Sequence, residues 1–169
     1  MKISAKKPES QGTKKGKRGN CWYVATMLLG VRPRSVAEMR KRLLAKNFSV
    51  AEVEKTINKC IEYKYLDDKQ FAKIVCDSML MRGNAGKNAI LNKMRNFQLS
   101  RDIIVRAIEE CVPSGKELQI AKEAVKKKIG QLKKRNISKE LWYRKLGQYL
   151  IGRGFSGDVV REVLDDIGE

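Results

Sequence analysis

Apolar residues along this chain recur at the three- and four-residue spacing of helices, and no segment keeps the apolar–polar alternation of a strand. Trp22, Ala25 and Leu29 share one helical face near the start. Three serines precede a glutamate by three residues, a pattern typical of helix N-termini: Ser35 with Glu38, Ser49 with Glu52, and Ser114 with Glu117. The pattern predicts an all-α protein.

The helical pattern also occurs three times. When Ser49, Ser100 and Ser156 are aligned, apolar residues coincide four and eight positions after each serine, and six and ten positions before it. Cys60 and Cys111 occupy the same position of this repeat, which favours a place in the core over a role as reactive thiols. Repetition at this length is typical of tandem helical units that contact mainly their neighbours.

Each repeat contains a predicted corner between two helices. Asn47 in the first copy and Gly154 in the third precede a phenylalanine, and these residue types enter the left-handed backbone region at low cost. The second copy has Gln98 at this position, which predicts a less regular turn.

These patterns divide the chain into four segments. We expect a basic disordered tail over residues 1–20 and helical repeats over 21–66, 67–113 and 114–169. Three small helical units in a row predict an elongated, curved array of three tandem three-helix repeats, with a concave face suited to a large partner.

The charge of the chain points to a polyanionic partner. The 169 residues include 37 lysines and arginines against 19 acidic residues, a formal net charge of +18. Residues 116–145 alone hold 11 basic and three acidic residues. Such a field attracts nucleic acid, or a protein that is bound to it. No apolar segment is long enough to cross a membrane, and we expect a cytoplasmic monomer.

The residue types argue against catalysis. The absence of histidine excludes Ser-His, Cys-His and His-metal mechanisms, and the four cysteines form no C-x-x-C pair. Asp67 and Asp68 lie at a predicted helix start, where a structural role is favoured. The loop from Gly83 to Lys87 lacks the spacing of a phosphate loop and is interpreted as a connection between repeats. We expect no enzymatic activity, no cofactor and no metal.

Basic side chains near corners and on the lysine-rich helix are the candidate contacts to a partner or to DNA. They are Arg32, Arg34, Arg82, Lys87, Arg95, Arg101, Lys126, Lys127, Lys133, Lys134, Arg144, Lys145 and Arg153. Trp22 and Trp142 could stack on bases, but their positions favour the core.

Several short motifs together resemble the RecX family of recombination regulators, from about Trp22 to the end of the chain. The motifs are Arg32-Pro33-Arg34-Ser35, Met39-Arg40-x-x-Leu43, Lys46-x-Phe48-Ser49, Tyr65-Leu66-Asp67-Asp68-x-x-Phe71-Ala72 and Arg153-Gly154-Phe155-Ser156.

The resemblance implies tandem three-helix repeats that bind the RecA filament on single-stranded DNA, in its helical groove. Such a regulator would inhibit ATP hydrolysis, strand exchange and the stimulation of repressor self-cleavage, within DNA repair and the SOS response. An alternative remains open: a protein that binds single- or double-stranded DNA directly, through repeats that act like helix-turn-helix units. The two differ in salt dependence, because binding through many phosphates weakens steeply with salt.

Reversing the charge of Lys127, Lys133 and Lys134 to glutamate is expected to weaken partner binding, because these residues lie in the strongly basic stretch 116–145. The helical circular dichroism of the variant should match that of the parent protein. Unchanged binding with intact helicity would contradict the prediction.

Overall fold

The computed structural model describes residues 20–83, 85–132 and 138–168, and every regular element in these ranges is an α-helix. This confirms the prediction of an all-α protein. The tail over residues 1–19 lies outside the described residues. The helices are α1 (Cys21–Val31), α2 (Val36–Leu44), α3 (Val50–Glu62), α4 (Asp68–Met81), α5 (Lys87–Asn96), α6 (Arg101–Cys111), α7 (Lys116–Leu132), α8 (Lys139–Gly152) and α9 (Gly157–Gly168).

The helices form three units, each with its own apolar core. The first unit (α1–α3), the second (α4–α6) and the third (α7–α9) bury separate clusters of side chains. Equivalent repeat positions have equivalent burial, as Met39, Ile90 and Leu146 show at 0% exposure each. Cys60 and Cys111 are buried, as their repeat position predicts. The fold is thus a series of three three-helix units, whereas the curvature of the series stays a prediction.

The corner of each unit depends on one residue in the left-handed region. Asn47 has φ 60° and Gly154 has φ 78°, as predicted. Gln98 adopts φ 56°, so the second corner makes the same turn and the expectation of a less regular one is wrong. The apolar residues that follow explain this result, because Leu99 and Phe155 are both buried and hold their corners in place.

Only one of the three predicted capping boxes is complete. The Ser49 side chain accepts a hydrogen bond from the Glu52 amide, while the Glu52 carboxylate accepts one from the Ser49 amide. Ser35 caps α2, but the Glu38 carboxylate binds arginines instead. The third box is wrong: α7 begins at Lys116, so Gly115 and not Ser114 precedes it, and the buried carboxylate of Glu117 accepts from the Lys87 amide of α5.

Neighbouring units are joined through the N-termini of their middle helices, where backbone amides lack acceptors within the helix. The Val36 amide of α2 donates to Asp68 of the second unit at 2.9 Å. In the same way, the Lys87 amide of α5 donates to Glu117 of the third unit, also at 2.9 Å. At each junction, one carboxylate from the following unit therefore helps to fix the orientation of the two units.

A second hydrogen bond at each junction connects to the corner of the following unit. The Ser35 hydroxyl donates to the Phe97 carbonyl at 2.8 Å, whereas at the second junction the Gly86 amide donates to the Arg153 carbonyl at 3.0 Å. A Cβ on Gly86 would lie 2.3 Å from the Gly154 carbonyl oxygen, so only glycine permits this approach. The connection from Gly83 to Lys87, interpreted as a link between repeats, instead joins α4 to α5 within the second unit.

Substituting Gln98 by glycine is expected to stabilise the protein by roughly 0.5–1 kcal/mol, because a left-handed conformation costs a residue with a Cβ about 1–2 kcal/mol. Denaturant unfolding gives the free energy directly. As a control, Gln148→Gly, at an exposed position inside α8, should destabilise by about 1 kcal/mol. Destabilisation by both changes would contradict the proposed cost at the corner.

Candidate functional site at the first junction

The segment between α1 and α2 is held by a cluster of three arginines around one carboxylate. Glu38 accepts hydrogen bonds from Arg32 at 2.6 Å and from Arg42 at 3.0 Å, and it also pairs with Arg34. The Arg34 side chain is 5% exposed, and its Nε also donates to the Leu28 carbonyl. Because four hydrogen bonds from three arginines converge on Glu38, they fix Arg32 and Pro33 at the edge of the second unit.

The cluster shifts the pKa of Glu38. Burial raises the pKa, but hydrogen bonds from Arg42, Arg32 and Arg34 outweigh burial, so the pKa lies below its ordinary value. Glu38 therefore carries its charge throughout the neutral range, and the exposed Arg32 and Arg42 leave positive charge at the surface.

A groove of about 590 Å³ lies beside this segment, between the first and second units. Its floor is apolar and comes from α4 and the second corner. Phe71 and Phe97 meet edge to face at 5.1 Å between ring centroids, and Ile74 is 42% exposed. We call it the junction groove and define it by its lining: Arg32, Pro33, Phe71, Ile74, Val75, Ser78, Met79, Arg82, Lys93 and Phe97.

The rim of the junction groove is cationic. Arg32 comes from the first unit, and Arg82 and Lys93 come from the second. The Lys93 ammonium lies 5.3 Å from the Phe97 ring centroid, a cation–π contact that places it over the apolar floor. None of the described residues that line the groove is acidic. The groove therefore offers apolar contact and positive charge together, the chemistry of a surface that binds an acidic, partly apolar partner.

Two smaller depressions border the junction groove. One, of about 190 Å³, shares Pro33, Phe71 and Ile74 with it and extends toward Tyr65 of the first unit. The other, of about 460 Å³, shares Arg32 and Phe97 with the groove and includes Lys41 and other residues of α2. Arg32 and its neighbours thus stand at the centre of a surface that spans the first two units.

The structure brings only some of the predicted contact residues together. Arg32 and Arg82 meet at the junction groove. Arg34 is buried in its ion pair, so it orders the segment and does not present its charge outward. Lys87 and Arg153 approach each other at the second junction, where the backbone of each takes part in the hydrogen bonds described above.

The remaining predicted contacts are dispersed. Arg95, Arg101, Lys126 and Arg144 are exposed on four different helices, and Lys145 is half-buried. The side chain of Lys127 and the whole of Lys133 and Lys134 lie outside the described residues. Of the other lysines of α7, Lys122 pairs with Asp166, and Lys116 donates to the Cys111 carbonyl at 2.7 Å.

The acidic pair that sequence reasoning singled out has a structural role. Asp67 accepts hydrogen bonds from the Lys69 and Gln70 amides and caps α4. Asp68 caps α2 of the preceding unit, and burial raises its pKa. The described residues hold no group of three potential metal ligands, and none of the helices they form is long and apolar enough to cross a bilayer.

Sequence reasoning missed the groove floor and Lys93. One signal was present: apolar residues lie on two sides of α4, because Ile74 and Met81 fall opposite Ala72 and Cys76 at 100° per residue. A helix needs only one apolar face to pack on a core, so the surplus indicated a second contact surface. The hydrogen-bonding roles of Glu38 and Glu117 left no such pattern.

Comparison with known proteins places this architecture among regulatory proteins. Residues 21–60 match the family model "RecX, first three-helix domain", and residues 116–164 match "RecX, third three-helix domain". The regulatory protein RecX of Vibrio parahaemolyticus serotype O3:K6 is 31% identical over 140 residues, which cover 83% of this chain and 86% of the relative. That of Syntrophotalea carbinolica is 27% identical over 143 residues, covering 85% and 93%.

A solved structure shares the fold. The crystal structure of RecX from Lactobacillus salivarius superposes with a TM-score of 0.78 at 18% sequence identity, covering 88% of this chain and 94% of that one. At this level of identity the likeness concerns the arrangement of helices alone.

Replacing Glu38 by glutamine is expected to destabilise the protein by roughly 1–3 kcal/mol at pH 7, because the amide cannot match the charge-assisted bonds to three arginines. The Glu38 pKa is lower in the folded protein, so its contribution is complete above the ordinary glutamate pKa, about 4.3. The contribution disappears as the pH falls below that value through the lower folded one.

Chemical denaturation of both proteins between pH 7 and pH 3 measures this effect. The difference in unfolding free energy should narrow in the acidic part of the range. The pKa shift of Asp68 is common to both proteins and cancels. A difference that stays constant with pH would show that the charge of Glu38 does not stabilise the segment.

Proposed function

Because the chain belongs to the RecX family of regulatory proteins, we propose that it inhibits the RecA recombinase by binding the RecA filament assembled on single-stranded DNA. Bound in the helical groove of the filament, it lowers ATP hydrolysis, strand exchange and co-protease activity. The observation that supports this proposal best is the junction groove, whose apolar floor and cationic rim span two units.

The chemistry of the groove favours a protein partner over bare phosphates. Phosphate binding needs exposed cations and no apolar floor, whereas protein interfaces combine a buried apolar centre with a polar rim. Ile74 and Met79 offer the apolar centre, and Arg32, Arg82 and Lys93 form the rim. The groove lies across a junction, so a partner that fills it contacts two units at once and fixes their relative orientation.

We propose that residues 21–66, 67–113 and 114–169 form three independent repeats. The basic segment 1–20 precedes them in the sequence. Within them, exposed cations away from the groove, among them Arg95, Arg101, Lys126, Arg144 and Arg153, add electrostatic attraction to the DNA inside the filament. We propose that the protein acts as a monomer in the cytoplasm, where the recombinase works, and needs no cofactor and no catalytic group.

A second candidate function is direct, sequence-independent binding to DNA. The net charge of +18 favours it, because neutralised phosphates release counterions and bind proteins without regard to sequence. This function predicts that affinity follows total charge, whereas the filament proposal predicts that the position of a charge matters.

The two functions are separated by measuring RecA ATP hydrolysis on saturating single-stranded DNA while this protein is titrated in. A filament inhibitor is expected to act well below one molecule per recombinase, and excess free single-stranded DNA should relieve little of the inhibition. Inhibition that needs coating amounts and disappears with competitor DNA would favour direct DNA binding.

Two variants test the junction groove in the same assay. Arg82→Glu changes the rim, and Arg106→Glu makes the same change of charge on the other face of the second unit, between α4 and α6. Arg82→Glu is expected to raise the half-inhibitory concentration about tenfold, the effect of losing one good interface contact. Arg106→Glu should change it little. If the two variants raise the half-inhibitory concentration equally, the groove has no specific role and total charge determines the affinity.

A further inference from the structure

Three aromatic rings from two parts of the first unit meet at its surface. The Trp22 ring of α1 lies 5.8 Å from that of Tyr63 and 6.0 Å from that of Tyr65, and the two tyrosine rings are 6.0 Å apart. Tyr63 is 52% exposed and Tyr65 is 56% exposed. The three residues form the aromatic cluster.

The apolar core of the first unit is closed without the side chains of Tyr63 and Tyr65. Leu66, one residue after the cluster, is 2% exposed and closes the core at the end of α3, together with Cys60 and Ile57. Burial drives most aromatic side chains inward, yet both tyrosines leave about half of their surface in water. Their exposure indicates a contact that lies outside the folded unit.

The backbone holds the tyrosines in place. Lys64 between them has φ 59°, and the amides of Tyr65 and Leu66 both donate to the Cys60 carbonyl, at 2.8 and 3.1 Å. Trp22, half-buried against the core, supports the tyrosine rings from α1. The cluster is therefore ordered before any ligand arrives, which lowers the entropic cost of binding.

Lys59 brings positive charge against the cluster, whereas the exposed Asp67 lines the same depression as Tyr65. The Lys59 ammonium lies 4.4 Å from the Trp22 ring centroid and 5.6 Å from that of Tyr63. Lys55 and Lys64 are exposed nearby in the sequence, with Glu62 the one acidic residue between them.

We propose that the aromatic cluster binds single-stranded nucleic acid by stacking unpaired bases on Tyr63 and Tyr65, while the Lys59 ammonium neutralises a neighbouring phosphate. Aromatic faces beside lysines are the general means of binding single strands without sequence preference. Duplex DNA keeps its bases stacked inside and gains only the phosphate contacts. Tyr65 also lines the smaller depression that shares Pro33, Phe71 and Ile74 with the junction groove, so the two surfaces are neighbours. The proposal requires no recombinase, and it rests on the second candidate function, direct DNA binding, for which it names a site and a preference for unpaired bases.

The fluorescence of Trp22 reports on this site. The chain has two tryptophans, and Trp142→Phe leaves Trp22 as the single emitter. The probes are a thymidine oligonucleotide and an abasic oligonucleotide of the same length, which has the same phosphates and no bases. The thymidine oligonucleotide is expected to quench Trp22 and to bind about tenfold more tightly than the abasic one.

Three further changes in this background separate stacking from charge. Tyr65→Ala should weaken thymidine binding about tenfold and leave abasic binding unchanged, whereas Tyr65→Phe keeps the aromatic face and should restore affinity. Tyr23→Ala removes a tyrosine that is equally exposed, at 57%, and makes no ring contact with the cluster. It should bind both probes like the parent.

Equal affinity of the parent for the two probes would overturn the proposal, because binding would then depend on phosphates alone. Unchanged binding by Tyr65→Ala, with circular dichroism matching the parent, would overturn it as well. If Tyr65→Ala loses inhibition of the recombinase but binds both oligonucleotides normally, the cluster contacts protein and the proposal is wrong. The oligonucleotide-binding measurements contain no recombinase, so their result is independent of the filament proposal.

Discussion

The orientation of the three units depends on two carboxylates that accept hydrogen bonds from backbone amides of the preceding unit. Asp68 binds the first amide of α2 and Glu117 binds the first amide of α5. Each amide would otherwise be an unpaired donor at a helix N-terminus, and each carboxylate also meets the positive end of a helix dipole. Since the cores of the units are separate, these few polar contacts decide how one unit meets the next.

Both junctions join two units through hydrogen bonds, but the two units approach each other more closely at the second junction than at the first. At the first, the Ser35 hydroxyl reaches the Phe97 carbonyl and leaves room for a side chain between the units. At the second, Gly86 brings backbone against backbone at Arg153 and Gly154, and a single Cβ would not fit. The wider first junction is the one beside which a groove of about 590 Å³ opens. A ligand-accessible surface thus arises where the repeat departs from its closest packing.

Helical periodicity and repeat alignment were enough to predict the class of fold, the three corners and most core positions, because burial imposes a regular spacing on the sequence. The candidate functional site was harder to predict from the sequence. The sequence predicts that Arg34 is an exposed cation, but in the fold its side chain is buried and pairs with Glu38. Glu117 reads as part of a local capping box, yet it binds Lys87 and Ser156, 30 and 39 residues away. Long-range pairing of this kind has no period and leaves no local pattern.

A chain with +18 net charge could bind any polyanion, so charge alone explains attraction and not selection. Selection requires contacts that phosphate does not offer. The junction groove adds an apolar floor across two units, and the aromatic cluster adds exposed rings on the first. A filament of protein on single-stranded DNA presents both kinds of partner at once, protein surface and unpaired bases. Binding to both ligands together is stronger than binding to either, because the second contact forms at high effective concentration. In the proposed binding, the net positive charge would speed the encounter, and the junction groove and the aromatic cluster would determine where the protein remains.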